Sequence, residues 1–269
     1  MKTRIIVGVA LVAVFCTALA FGGFVTFAIF TAGVVLCVYE MGRLFRTKGY
    51  NPFMWGAYLC AALMYTAYVL YGGAALAVWC ALCAILSVSE RLWNKNRSME
   101  DIFCSLLVCM YPLLFCAILA CVMAYPDRVV GRTAMLLCFA SPLLGDTLAY
   151  FIGSALGRHK LCPDISPKKT VEGSLAGLAG AVLGGLATWA VSPLWGHEAH
   201  LPLLLVLGFV CGVLGEVGDL FASLFKRWAN VKDYGSIFPG HGGMMDRIDS
   251  VLFCAPIGLL YIIWMNAIK

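Results

Sequence analysis

Charge is what this sequence has least of. Lys, Arg, Asp and Glu make up 12% of its 269 residues, while 62% are hydrophobic. A soluble domain is about 25% charged and about 45–50% apolar. Fourteen acids and nineteen bases cannot coat a water-soluble globule of this length, and the apolar excess also excludes disorder. Long polar stretches are missing, so no large extramembrane domain fits. The nucleotide loop G-x-x-x-x-G-K-[ST] does not occur. Histidine is scarce, and His197-Glu198-Ala199-His200 has the wrong spacing for the zinc motif H-E-x-x-H, so it reads as solvated loop. No nucleic-acid partner is expected.

What is present in quantity is long apolar runs, near 5–21, 24–41, 53–71, 73–90, 102–124, 133–156, 173–195, 201–222 and 250–267. At about 20 residues per span, nine spans consume about 180 residues. Lipid offers no partners for peptide groups, which leaves helices or closed barrels, and these runs are too long for barrel strands. The expected fold is all-α, a polytopic transmembrane protein of about nine spans. Lys2, Arg4, Arg43, Arg46, Lys48, Arg91, Lys95, Arg97, Arg158, Lys160, Lys168, Lys169, Lys226, Arg227, Lys232 and Arg247 then share one side, leaving only Arg128, Arg132 and Lys269 opposite. Positive loops stay in the cytoplasm. The expected location is therefore a bacterial-type inner (cell) membrane, with a cytoplasmic N-terminus and polar loops. Lys2 and Arg4 ahead of Ala18-Leu19-Ala20 resemble a signal peptide, but the apolar run is long for one and is read as a retained span.

Thirteen cysteines accompany these runs, twelve of them within spans. Cys80 and Cys83 have C-x-x-C spacing without a second pair, so the cysteines read as packing residues. Glu40 and Glu90 lie at span ends near Arg43 and Arg91 and read as interfacial.

Acids inside spans are costly and mark function. Asp146, Glu216 and Asp219 qualify. Asp219, Ser223, Lys226 and Arg227 recur at i, i+4, i+7 and i+8, one helical face. Carboxylates bind hard cations, and Mg²⁺ takes one or two of them together with substrate phosphates. The segment 232–243 continues with glycines and Pro239, backbone able to approach an anion closely. Asp246 and Asp249 follow, three residues apart at the start of the last span. A second polar patch runs from Asp146 through Arg158 and Lys160 to Lys168-Lys169-Thr170-Val171-Glu172. Pro163 and Pro167 keep its middle extended, Thr170 is placed as an N-cap, and Glu172 falls in the first turn. Two acid sets joined by a basic, glycine-rich loop suggest a metal-assisted phosphoryl or nucleotidyl site.

Ser223-x-x-Lys226-Arg227-x4-Lys232-Asp233-x-Gly235-x3-Pro239-x-His241-Gly242-Gly243-x2-Asp246-Arg247-x-Asp249 resembles, without a gap, the signature of the phosphatidate cytidylyltransferases. Asp146-Thr147-x-Ala149-Tyr150 and Ile165-Ser166-Pro167-x-Lys169-Thr170-x-Glu172-Gly173 also look like that family. The resemblance covers about 141–250, and the N-terminal half is similar only in hydropathy. Ser154 stands where many relatives carry Arg, and Ala222 where many carry Glu.

The resemblance implies that CTP and phosphatidate give CDP-diacylglycerol and pyrophosphate, for phospholipid synthesis. It implies 1–130 as a helical scaffold and 131–269 as the catalytic region with cytoplasmic loops 157–172 and 223–249. Asp219, Asp246 and Asp249 would hold Mg²⁺, with Asp146 nearby and a second cation left open. The catalytic set is then Asp219, Lys226, Asp246 and Asp249. Ser223, Arg227 and Lys232 would hold nucleotide or pyrophosphate, and Lys169 and Arg247 the lipid phosphate or the leaving group. His241, Gly242 and Gly243 would shape the loop, while Ser166, Thr170 and Arg158 would complete substrate binding. The bilayer supplies the lipid, and the resemblance hints at a homodimer. A CTP-dependent polyprenol or phytol kinase is the nearest alternative. An ion-coupled transporter fits less well, because the polar groups crowd toward one end of the last four spans. The D-G-x-x-A-R of CDP-alcohol phosphotransferases does not occur.

Overall fold

The computed structural model describes residues 2–21 and 23–268. Among the described residues nine α-helices run in chain order: α1 Lys2–Phe21, α2 Gly23–Thr47, α3 Trp55–Trp93, α4 Met99–Val108, α5 Phe115–Met123, α6 Arg128–Leu156, α7 Val171–Val191, α8 Leu201–Trp228 and α9 Met245–Ala267. Among the described residues, eight helical stretches are long and apolar enough to cross a membrane. They correspond to the second through ninth expected spans. The first expected span lies in α1, whose apolar part Ile6–Phe21 is shorter. The chain is an all-α, multi-pass membrane protein. Lys269, placed on the outer side by charge, lies outside the described residues.

Local chemistry sets the breaks. Gly72 has φ 78°, a conformation open to glycine, and divides α3 into two spans. Pro112 lacks an N–H, and the span shared by α4 and α5 widens into π-helical backbone over Cys109–Leu114. Asp127 caps α6 by accepting from Val129 N–H and Val130 N–H. Thr170 caps α7 as expected, its hydroxyl accepting from Gly173 N–H at 3.1 Å.

The chain forms two compact units. One comprises Met1–Ala124 with Trp228–Ile248. Its core includes a stripe of α2 (Val34, Cys37, Val38, Met41, Leu44, Phe45) and the facing side of α3 (Ala57, Cys60, Ala61, Met64), all buried. Asp101, in a capping box with Ser98, also accepts from Asn51 N–H, and Ser105 accepts from Phe53 N–H, which ties the α2–α3 connection to α4.

The other unit comprises Tyr125–Arg227 with Asp249–Lys269. Small residues bring its helices together. Gly145, Ala149 and Gly153 of α6 face Gly173, Gly177 and Gly180 of α7, and a Cβ on Gly180 would lie 3.0 Å from the Gly145 Cα. Without a hydrophobic drive between helices in lipid, such close packing supplies the attraction. His197 is not solvated as expected. It is buried, with Nε2 2.6 Å from the Tyr261 hydroxyl. Between α6 and α7 stands a two-stranded hairpin, β1 Lys160–Cys162 and β2 Ser166–Thr170, with Lys160 opposite Thr170.

Candidate active site

In the second unit, α8 brings Glu216 and Asp219 up to β2. Lys169 Nζ lies 2.7 Å from Asp219 Oδ2 and 3.8 Å from Glu216 Oε1. Glu216 also accepts a hydrogen bond from the Ser174 hydroxyl of α7. Burial alone would favour neutral Lys169. Asp219, its hydrogen bond, Glu216 and Asp146 outweigh that and hold the ammonium pKa above its ordinary value. Lys169 is therefore a fixed cation inside a carboxylate cluster.

Asp249 of α9 belongs to this neighbourhood. It is 7% exposed and lies within electrostatic reach of Asp219, Lys226 and Asp146. Asp146 lines a cavity of about 530 Å³ between α6, α7 and α8, together with Lys169, Ser174 and Glu216. That volume suits a small-molecule site. Lys160 and Lys168 of the hairpin also line it, and α-helical glycines form much of its floor. One wall thus offers carboxylates and another offers ammonium groups.

The hairpin is held in place by residues expected to touch substrate. Arg227 Nε donates to the Ile165 carbonyl at 3.0 Å. Glu172 accepts from the Arg158 and His159 N–H groups and pairs with His159 Nδ1 at 2.7 Å. Thr170 is engaged as a helix cap, and Ser166 is half-buried in β2 opposite Cys162. Along α8, Ser223 is buried and Lys226 half-buried.

In the first unit, the glycine-rich segment before α9 folds on itself. Phe238 and Gly242 pair, and Gly240 and Gly242 have φ of 78°. Asp246 gathers the segment: its Oδ2 accepts from Tyr234 N–H at 2.8 Å and Gly243 N–H at 2.9 Å. His241 carries a buried Nδ1 without a hydrogen-bond partner. Lys232 and Arg247 are exposed.

Glu40, read from sequence as interfacial, is only 1% exposed and accepts from Met244 N–H and Met245 N–H at the start of α9. Arg43 points its guanidinium to the Tyr234 carbonyl. Neither was among the expected site residues, nor was Ser174. The signal for Glu40 was present, since an acid within an apolar run is expensive unless something receives it. Glu90 pairs with Arg97 and Asn94 instead of Arg91.

Among the described residues no three His, Cys, Asp or Glu side chains gather as metal ligands. The thirteen cysteines are free thiols. The carboxylates of this unit nearest the lysine, Glu216 and Asp219, and the buried Asp249 are hard oxygen donors. They fit a cation such as Mg²⁺, which needs only one or two carboxylates when phosphates complete its shell.

The family model described as the cytidylyltransferase family matches residues 2–265. A phosphatidate cytidylyltransferase of Synechocystis sp. is 43% identical over 143 residues, 52% of this chain and 47% of its own length. One from Staphylococcus epidermidis is 36% identical over 176 residues, 65% of this chain and 64% of its own. One from Staphylococcus haemolyticus is 34% identical over 184 residues, covering 68% and 67%. The chain thus spans about half to two thirds of the length of these relatives.

Proposed function

The chain belongs to the cytidylyltransferase family, and from that premise we propose that it transfers the cytidylyl group of CTP to phosphatidate, giving CDP-diacylglycerol and pyrophosphate. The observation that carries the reading is the Lys169–Asp219 contact of 2.7 Å beside Glu216 on the cavity wall. A site that must bring a lipid phosphate to a triphosphate needs fixed cations for the phosphates and carboxylates for a divalent cation. The relatives named phosphatidate cytidylyltransferase support the same substrates.

In this reading a phosphatidate oxygen attacks the α-phosphorus of CTP. The new O–Pα bond forms, the bond from Pα to the bridging oxygen breaks, and pyrophosphate leaves with its electron pair. The nucleophile is already ionised at neutral pH, so no side chain need remove a proton. Lys169 offsets the charge of the phosphate entering the cavity, with Lys160 and Lys168 at the hairpin. Ser223 and Lys226, one and two turns beyond Asp219 on α8, hold nucleotide oxygens, with Lys232 and Arg247 drawing in the exposed end of the triphosphate. Arg227 acts through the hairpin that it anchors. Positioning and charge neutralisation carry the rate, as in phosphoryl transfer generally.

Asp219 and Asp249 would hold Mg²⁺, with Asp146 farther out, and Asp246 is a further candidate ligand on the resemblance of the signature alone. Bound there, Mg²⁺ would neutralise phosphate charge. The active site is placed at the cytoplasmic face of an inner membrane, supported by the sixteen bases sharing one side. Phosphatidate would enter sideways from the bilayer. A homodimer rests on the resemblance alone. The test is purified full-length protein with phosphatidate, CTP and Mg²⁺, with and without chelator. CDP-diacylglycerol is expected only where free Mg²⁺ remains, and its absence under both conditions contradicts the assignment.

A further inference from the structure

Two side chains of α2 meet the signature loop from about two hundred positions upstream. Glu40 Oε1 accepts from Met244 N–H at 2.9 Å, and Oε2 from Met245 N–H at 2.8 Å, a sequence separation of 204 and 205 residues. One helical turn on, Arg43 Nη2 donates to the Tyr234 carbonyl at 3.0 Å. The N–H of that same Tyr234 goes to Asp246. The Tyr234 residue is therefore held from both sides, by α2 and by the aspartate that opens α9.

The loop is built around the carboxylate. A Cβ on Gly235 would lie 2.9 Å from Glu40 Cδ and 3.0 Å from the Gly243 Cα. A Cβ on Gly243 would strike both Glu40 oxygens. Two glycines of the signature are thus small because a side chain from another helix fills the space. Glu40 in turn stands on a rigid base, since Cys37, Val38 and Met41 around it on α2 are fully buried. A buried acid is tolerated only when its lone pairs are satisfied, and charge-assisted bonds to N–H groups are about twice as strong as neutral ones.

We propose that Glu40, with Arg43, is a positioning residue of the transferase site: it clamps the 234–245 loop and thereby fixes Asp246. The effect on turnover rests on the proposed reaction, whereas the clamp itself does not. Such a residue touches no substrate. It acts by holding the loop in one geometry, and misplacement by about 1 Å can cost about a hundredfold in rate.

The test uses the full-length chain in lipid nanodiscs, with Glu40→Gln, Glu40→Ala, Arg43→Lys and, as control, Glu90→Gln. Amide exchange is followed over 234–246, and kcat and KM for CTP are measured per folded molecule. The Glu40 substitutions are expected to speed exchange in 234–246 by about tenfold or more and to lower kcat by about ten- to a hundredfold, with KM changing less. Arg43→Lys is expected to act in the same direction more weakly, and Glu90→Gln to leave both readouts unchanged. A purely structural role would lower the yield of folded protein while leaving its kcat and loop exchange at the wild-type level, and that result overturns the proposal. If wild-type protein makes no CDP-diacylglycerol, the reaction is wrong and the exchange measurement still decides the clamp. Should Glu40→Ala not fold, Glu40→Gln and Arg43→Lys carry the comparison.

Discussion

Lys169 joins the structural and chemical arguments at the scale of one residue. It is the cation nearest Asp219, and it lines the cavity. Its raised pKa means that the ion pair stabilises the fold fully below the unfolded lysine value of about 10.4 and is lost only as pH rises through the folded value. The difference in thermal unfolding between wild type and Lys169→Met should be flat from about pH 6 to 9 and should shrink above about pH 10.4. A difference that already fades between pH 7 and 9 contradicts the pairing. Asp219→Asn should lower kcat by about a hundredfold or more in protein that still folds. Turnover within threefold of wild type would remove Asp219 from the charge machinery. The sequence spacing set Asp219 and Lys226 on one stripe because a helix stripe is a local pattern. It could not place Glu216 between Lys169 and Ser174, since the three come from separate elements.

At the scale of elements, the hairpin between α6 and α7 is where sequence reading was thinnest. Pro163 and Pro167 announced extended backbone, but pairing of β1 with β2 depends on Glu172 closing the loop over Arg158 and His159 and on Arg227 reaching Ile165. Arg227 and Thr170, read as substrate ligands, also hold that scaffold. Thr170→Ala should cost about 1 kcal/mol through the lost cap. A stability unchanged in chemical denaturation would mean that the cap is dispensable. The helices were legible throughout, because eight long apolar runs leave no other solution in lipid. α6 packs on α7 across Gly173, Gly177 and Gly180. Gly180→Leu should separate those helices and sharply reduce folded protein on size exclusion. Retained folding and a wild-type melting curve would contradict so close a contact.

For the whole molecule, the resemblance was confined to about 141–250, and the N-terminal helices offered only hydropathy. The family match extends over residues 2–265, and Glu40 gives that reach a physical meaning: α2 supports the loop that carries the signature. That contact joins residues about two hundred positions apart, beyond any periodicity a single sequence can display. The same gap explains why the His197 loop was misjudged, since its partner Tyr261 lies 64 residues on.

The central claim is that cytidylyl, not phosphate, passes to the lipid. CTP labelled separately at the α- and γ-phosphates decides it, using purified full-length protein, phosphatidate and Mg²⁺. The account predicts α-label in the lipid product, with the γ-label released as pyrophosphate. Label from the γ-position in lipid, or lipid without either label, would contradict it.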